Sequence, residues 1–463
     1  MPSPASQPSP DRPPARAFRS WGGVPPICHA RVHALPGTAA AWPADPRGVL
    51  PVGLGRSYGD VGLNAGGTLL DTRFLDRLLA FDPHSGLLRA EAGLSLHDLL
   101  SWCVPRGWFV PVTPGTRQIT LGGAVANDVH GKNHHRTGTF GCHLAALGLR
   151  RSDGSERTCS PSENADLFAA TIGGLGLTGL ITWVEMRLQA IPSGWIDAGA
   201  ESFGSLDEAW QQFDASAATQ EFTVAWLDGF RPGHGVFLSG NWAAEPPPGR
   251  PALPPPPAAH LTVPVDAPSW LLNRPTQAVF NRAYAGRQSL RRGRFSQDYT
   301  GFFHPLDALH DWNRLYGRRG FFQYQAVVPP SARAVIGTML ERAKRAGQPP
   351  YLVVLKEFGD IPSPGLLSFP RPGPTLAMDF PNRGPETLSL FRILDALVRE
   401  AGGCWYPAKD ATLAAADFQA AYPQWRAFAR HLDPACQSDF WRRVSTTSHP
   451  HAGASLAASF HGP

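Results

Sequence analysis

Apolar and polar positions change their spacing partway along the chain. From about residue 20 to 190 the apolar runs are short and end at glycine, proline or aspartate. RGVLPVGLG at 47–55, GGTLLD at 66–71, GLLRAEAG at 86–93 and LAALGLRRSDGS, closing on a turn at Asp153 and Gly154, all have this form. Runs bounded by turn formers predict short strands. LSLHDLLSWCVPRG at 94–107 repeats at helical spacing instead. It predicts an amphipathic helix capped by Ser95 and ended near Pro105 and Gly107. DLFAATIGGLGLTGLITWVEMRL at 166–188 reads as a helix, a glycine loop and a strand.

From about 191 the texture is different. SLDEAWQQF at 205–213, ARAVIGTMLERAKRAG and ETLSLFRILDALVREAG predict helices. EFTVAWLDGF, HGVFLSGNWA, FFQYQAVVPP, YLVVLKEF and TLAMDF predict strands by their β-branched and aromatic content. The tract EPPPGRPALPPPPAAH at 245–260 is expected to be exposed, because proline can feed neither a helix interior nor a sheet. The last 60 residues lead with GCWYPAKD and then turn helical. Short strands broken by helices predict an α+β fold. The expected division is a disordered Pro- and Ser-rich tail at 1–17, a glycine-rich domain at 18–190 and a second domain at 191–403. The segment 404–463 closes the chain, and the pattern leaves its attachment open.

Composition narrows the function classes. The 463 residues are 43% hydrophobic and 17% charged, against a usual charged share near 25%, which excludes global disorder. The net charge is +5, and the arginines are scattered apart from a short cluster at Arg287, Arg291, Arg292 and Arg294. A nucleic-acid binder concentrates its charge on one element, so no nucleic-acid partner is expected. The cluster is open to reading as a solvated loop or as a contact with phosphate or an anionic membrane. Cysteines at 28, 103, 142, 159, 404 and 436 form no close pair, so no metal site is expected from them and reduced thiols are. The N-terminus lacks a signal-peptide apolar core, and no apolar run reaches about 18 residues. A cytoplasmic protein is expected, with peripheral contact at the inner membrane face left open. Among 42 basic residues only Lys132, Lys344, Lys356 and Lys409 are lysines.

Three glycine-rich elements carry the candidate chemistry. In GLGRSYGD at 53–60, glycines let backbone amides turn toward a phosphate, though a generic tight loop has the same composition. It matches neither the P-loop nor the dinucleotide GxGxxG order. In PGTRQITLGGAVANDVHGKNHH, small residues let a flat group lie on the backbone, and a polar cluster follows. His130, His134 and His135 lack complementary carboxylates at metal-ligand spacing. His130 is read as touching a cofactor or substrate, or as locally hydrogen-bonded. The third element is GGLGLTG at 173–179. One glycine loop suits a single phosphate, whereas several suit an extended dinucleotide. Farther on, period two puts Gln323 and Gln325 on one strand face, and Lys356 with Val354 and Phe358 on another. Lys356 is either a snorkelling edge residue or a buried cation awaiting an anion. Lys409 follows Trp405, Tyr406 and Pro407.

Taken in order, GLGRSYGD, PVTPGTRQITLGGAVANDVHGKNHH, TIGGLGLTG, FFQYQ and YPAKD resemble the decaprenylphosphoryl-β-D-ribose oxidase family. These are FAD-binding flavoproteins of the vanillyl-alcohol oxidase/p-cresol methylhydroxylase type. The resemblance implies a two-lobed FAD-binding domain with an inserted α+β substrate domain carrying an antiparallel sheet. The segment 404–463 would then return to the FAD domain. Gly53, Gly55, Arg56, Ser57, Tyr58 and Gly59 would surround the FAD pyrophosphate. Gly115, Thr116, Gly122 and Gly123 would lie near the flavin or a phosphate. Asn127, His130 and Gly131 would stand beside the isoalloxazine, and Gly173, Gly174 and Thr178 would hold the rest of the cofactor. Tyr406 would pack near FAD, with Lys409 between flavin and substrate. Trp226, Phe303, Gln323, Gln325, Lys356, Thr375 and Ala377 would form the substrate pocket. Lys409, His130, Lys356 and Gln325 would be catalytic.

The implied reaction is oxidation of the 2′-hydroxyl of a polyprenyl-phosphoryl β-D-ribofuranose, with hydride passing to flavin N5. A partner NAD(P)H-dependent reductase would then complete epimerisation to the arabinose form. Covalent members of the wider type carry histidine in the first glycine loop, where this chain has Arg56, so noncovalent FAD is expected. The family pattern has cysteine, asparagine and tyrosine where Ala377, Thr375 and Phe303 stand, which reshapes the pocket. The rival reading is an FAD-dependent oxidase of another sugar, polyol or aldonolactone. An apolar groove leading to the lysines favours the lipid-linked sugar, and a small closed polar pocket favours the rival.

Overall fold

The computed structural model describes residues 18–38, 40–255, 261–268, 276 and 293–446. The tail at 1–17, the end of the proline tract at 256–260 and Arg287, Arg291 and Arg292 lie outside the described residues. The fold is α+β. A three-stranded parallel sheet, ordered Arg31–Ala34, Thr68–Asp71, Val49–Val52, stands beside a five-stranded antiparallel one. The latter runs Leu78–Asp82, Leu87–Glu91, Leu180–Arg187, Leu144–Arg150, Glu156–Cys159. The helix Leu96–Cys103 forms with Ser95 accepting a bond from the Asp98 amide at its cap.

The third sheet is antiparallel and has eight strands. Its order is Gly293–Asp298, Trp195–Phe203, Gly235–Trp242, Phe222–Leu227, Val353–Phe358, Gly373–Pro381, Phe321–Val327, Cys404–Trp405. Sheet pairing thus continues through Trp405, and the last segment turns back to the first lobe after it. There Cys436 bridges Val49, and Arg443 pairs with Asp60 at 2.7 Å and Asp410 at 2.8 Å. Among the described residues, no helix is long and apolar enough to cross a membrane.

Alternation along the eight-stranded sheet separates two environments. Phe322, Tyr324, Ala326, Leu376, Met378, Phe380, Val353 and Leu355 face a core covered by the helices Ala334–Arg345 and Pro385–Glu400. Each helix turns an apolar stripe inward, for example Leu390, Phe391, Leu394 and Val398. Leu394 has no solvent exposure. Leu394→Ala is expected to cost about 2–5 kcal/mol, read as a lower denaturant midpoint with an unchanged slope. The residues between these, Gln323, Gln325, Lys356, Thr375, Ala377 and Asp379, are carried on the opposite face.

Candidate active site

One cavity lies between that sheet face and the glycine loops. The first loop leaves the strand Val49–Val52 and enters it. Among the described residues the backbone amides of 53–57 reach no backbone or side-chain acceptor, and the next one, on Tyr58, is taken by the Ala408 carbonyl. Amides left unsatisfied along a loop that lines a cavity can form an anion nest. Gly55 has φ of +63°, a conformation that L side chains rarely adopt. Gly59 is glycine for a different reason, since a Cβ there would fall 1.6 Å from the Asp410 carbonyl oxygen. At Gly115 an added Cβ would meet nothing within 4 Å, so the backbone itself borders the open space. A nest for a pyrophosphate and the open backbone at Gly115, with Gly122 and Gly123 also lining the cavity, fit the phosphates and flat ring of FAD.

The second glycine element is a short helix, Leu121–Ala126, capped by the Thr120 hydroxyl accepting from the Gly123 amide. Beyond it Asp128 takes φ of +39° and is buried. Its carboxylate accepts bonds from the Gly141 amide at 2.8 Å and from the Ser368 hydroxyl, while burial raises its pKa to about 6. This anchored turn presents His130. The ring lies between Lys356, whose Nζ is 3.0 Å from Nδ1, and Gln325, whose amide nitrogen is 3.1 Å from Nε2. Phe358, Phe369 and Tyr406 pack around it, and the Tyr406 hydroxyl donates to the Asn127 carbonyl. Burial, then the Lys356 charge, hold His130 well below the usual imidazole range, so it is neutral at pH 7.

Register explains the sheet side. Trp226, Val354, Ala377 and Gln325 form one cross-strand row, and Lys356 and Thr375 pair in the next. Gln323 stands across from Asp379 and donates to its carboxylate at 2.6 Å. Lys409 arrives from the turn Pro407–Lys409, with Nζ 3.7 Å from the centre of the Tyr58 ring. Desolvation by the cavity walls lowers both lysines to about 7. For Lys356 the other lysines add to the effect, whereas for Lys409 the carboxylate of Asp379 opposes it. Asp379 itself is raised to about 7 by burial. The space beside His130 therefore holds two amines that change charge near neutral pH.

Most of the expected site residues do line this cavity: Gly53, Gly55, Arg56, Ser57, Tyr58, Gly59, Gly115, Thr116, Gly122, Gly123, Asn127, His130, Gln323, Gln325, Lys356, Ala377, Tyr406 and Lys409. Others are placed elsewhere. Phe303 belongs to a sealed aromatic cluster with Phe109, Phe222 and Trp242, on a helix that packs inward. Lys132 points to the same region, with Nζ bonded to the Phe302 carbonyl and above its ring, so its amine is engaged in packing there. The backbones of Gly173 and Gly174 are used in packing: the Gly173 amide donates to Val125, and a Cβ on Gly174 would sit 2.1 Å from the Ala170 carbonyl oxygen. Thr178 shares a hydroxyl bond with Thr171, and it is Leu175, Gly176 and Gly179 of that loop that reach the cavity. Gly131 lies behind His130, its carbonyl toward Lys356. Thr375 is buried behind Gln325, and Trp226 stands one strand beyond Val354, buried against Ala200 and Val236.

Three elements have no counterpart in the expected site. Trp21 stacks under the Arg56 guanidinium at 4.0 Å. A strap at 305–316 crosses the cavity, held by Asp307, which accepts from the Thr116 hydroxyl at 2.6 Å and the Arg117 amide at 2.8 Å. Asp379 supplies a buried carboxyl group near Lys409. The strap has no period of two or 3.6 to announce it, and Asp379 was visible only as one polar residue in an apolar strand.

Comparison with known proteins gives concordant relatives. Residues 39–160 match the model of an FAD binding domain family. The chain is similar to decaprenylphosphoryl-β-D-ribose oxidase of Mycolicibacterium smegmatis, 36% identical over 416 residues, covering 86% of this chain and 89% of the relative. It is similar to an uncharacterised protein of Streptomyces coelicolor, 32% identical over 368 residues, 76% of this chain and 100% of the relative. A putative D-arabinono-1,4-lactone oxidase of Neurospora crassa is 27% identical over 183 residues, 39% of this chain and 32% of the relative.

Proposed function

The chain belongs to the decaprenylphosphoryl-β-D-ribose oxidase family of FAD-dependent oxidoreductases, and from that membership we propose that it oxidises the 2′-hydroxyl of a polyprenyl-phosphoryl β-D-ribofuranose to a ketone. The observation that carries the reading is the mixed lining of the cavity. Lys356, Lys409, His130 and Gln325 share it with apolar Leu306, Leu309, Trp312, Leu352, Val354 and Ala377. A phosphorylated sugar on a lipid chain presents both chemistries, an anionic polar head and hydrocarbon. A free polyol would leave the apolar walls without a partner.

Residues 53–57 would hold the pyrophosphate of a noncovalent FAD, Gly115, Thr116, Gly122 and Gly123 its flat ring, and Tyr406 would pack beside it. FAD, when bound, supplies the two-electron acceptor for the carbinol C–H. The protein's own groups orient the sugar and manage charge. Lys409, as an ammonium, meets the phosphate or the negative charge that develops on the sugar oxygen. Gln323 and Gln325 fix the hydroxyls, and the His130–Lys356 pair takes the hydroxyl proton. The ketone is then substrate for an NAD(P)H-dependent reductase, and a lipid-linked substrate places the protein against a membrane face from the cytoplasmic side. Residues 18–190 would serve the cofactor and 191–403 the substrate, with the closing segment returning to the cofactor lobe after the sheet strand Cys404–Trp405.

Anaerobic mixing with a synthetic prenyl-phosphoryl ribose tests the reading. The visible absorbance of the flavin is expected to bleach with the lipid sugar and to persist with simple alditols. Rapid bleaching by a free polyol, with none by the lipid sugar, would replace this substrate by that of the rival oxidases.

A further inference from the structure

Thr375, Gln325, His130 and Lys356 form one hydrogen-bonded row, and valence decides which atom donates at each step. The Ala326 carbonyl can only accept, so the Thr375 hydroxyl 3.1 Å away donates to it. The Thr375 oxygen is then free to accept from the Gln325 amide nitrogen at 3.2 Å. The second N–H on that nitrogen faces His130 Nε2 at 3.1 Å, which must therefore be the bare ring nitrogen. A neutral imidazole carries its single proton on the other side. Nδ1–H thus donates to Lys356 Nζ at 3.0 Å. An ammonium has three donors and no lone pair, so only the free amine of lysine can accept there.

The surroundings favour that state. Lys356 is faced by His130, His134 and Lys132 from the glycine-rich segment and by Lys409 from the Pro407–Lys409 turn. No carboxylate is paired with it among the described residues. We propose that Thr375 is a positioning residue which, through Gln325 and His130, holds Lys356 as the free amine and so makes it the acceptor of the substrate hydroxyl proton. The inference rests on the oxidase reading for the identity of the proton donor. In the step, the Lys356 lone pair turns from Nδ1–H to the sugar hydroxyl, the O–H bond breaks and an N–H bond forms on Lys356, while the carbinol hydrogen leaves with its electron pair to the flavin oxidant.

Once charged, Lys356 can no longer accept from Nδ1–H. The row then has a second consistent arrangement. The imidazole takes its other tautomer, Gln325 turns its carbonyl oxygen toward Nε2–H, and Nδ1 accepts from the ammonium. The Thr375 hydroxyl, committed to the Ala326 carbonyl, favours the first arrangement over the second.

Lysine scarcity makes the test direct. Protein labelled with ¹³C at lysine Cε gives four signals, one for each lysine, and Lys356→Met identifies the relevant one. In the resting holoprotein the Lys356 signal is expected to titrate near neutral pH. Thr375→Val is expected to raise that midpoint by about one pH unit, the size of one lost hydrogen bond, and Thr375→Ser to leave it in place. Gln325→Leu, which cuts the row one step further on, is expected to raise it likewise. The acid limb of flavin reduction should move upward with the midpoint in Thr375→Val. A Lys356 that titrates identically in wild type and both row-breaking variants, or that stays charged to pH about 10, overturns the proposal. The titration needs no sugar, so a flavin that no lipid sugar reduces counts against the oxidase reading alone.

Discussion

Lys409→Ala is expected to slow anaerobic flavin reduction by about 100- to 1,000-fold, the usual loss when a preorganised charge is removed from a reacting centre. Stopped-flow absorbance measures it. FAD occupancy should be retained, because the glycine loop and Tyr406 hold their places without the lysine. An unchanged reductive rate would remove Lys409 from the chemistry. Lys409→Arg is expected to restore little, since a planar fork above Tyr58 points its donors differently from a compact ammonium. The pH dependence has a definite sign. Desolvation brings Lys409 down to about 7, so its charge is present below that value and lost as pH rises through it. An anionic substrate favours the ammonium. The alkaline limb of kcat should therefore lie at higher pH than that of kcat/KM, because the former reports the loaded enzyme.

The parts of this site that were legible in the sequence are those set by local rules. Period two placed Gln323 with Gln325, and Lys356 with Val354 and Phe358, and the strands Phe321–Val327 and Val353–Phe358 have those faces. What local rules omit is which strands become neighbours. The row from Trp226 through Val354 and Ala377 to Gln325 joins strands from four separate stretches of chain. Nothing local forecasts that Thr375 sits behind Gln325. The strands Trp195–Phe203 and Gly293–Asp298 carry no strand signal of their own, because WIDAGAESF and GRFSQD are rich in small and polar residues. Their pairing supplies what their propensity lacks.

Glycine motifs misled in an instructive way. GGLGLTG looks like a third phosphate loop, but the glycines at 173 and 174 are there because neighbouring backbone approaches them closely, and the cavity is touched by Leu175, Gly176 and Gly179. Composition cannot separate a glycine needed for a ligand from one needed for packing. Lysine scarcity has the same limit. It drew attention to Lys132, Lys356 and Lys409 alike, and the fold turns Lys132 away to bond the Phe302 carbonyl.

Lys356→Ala is expected to slow flavin reduction by about 100- to 10,000-fold, the usual contribution of a positioned base, and to change the form of the pH profile. In the wild type the base must be neutral. Desolvation and the neighbouring lysines bring Lys356 to about 7, so the rate should rise with pH through that value, giving an acid limb. Removing the side chain removes the limb and leaves a space against His130 and the Gly131 carbonyl. Small primary amines can enter that space as free bases, and their addition should recover part of the rate in Lys356→Ala, more strongly at higher pH as more of the amine is unprotonated. Lys409→Ala should respond in the opposite sense, because it lacks a cation and the charged form of an added amine is the useful one. The two lysines share a cavity, and desolvation brings both down to about 7. Rescue by the free amine in one variant and by the ammonium in the other would separate a base from a charge. An acid limb that survives in Lys356→Ala would assign the proton to another group.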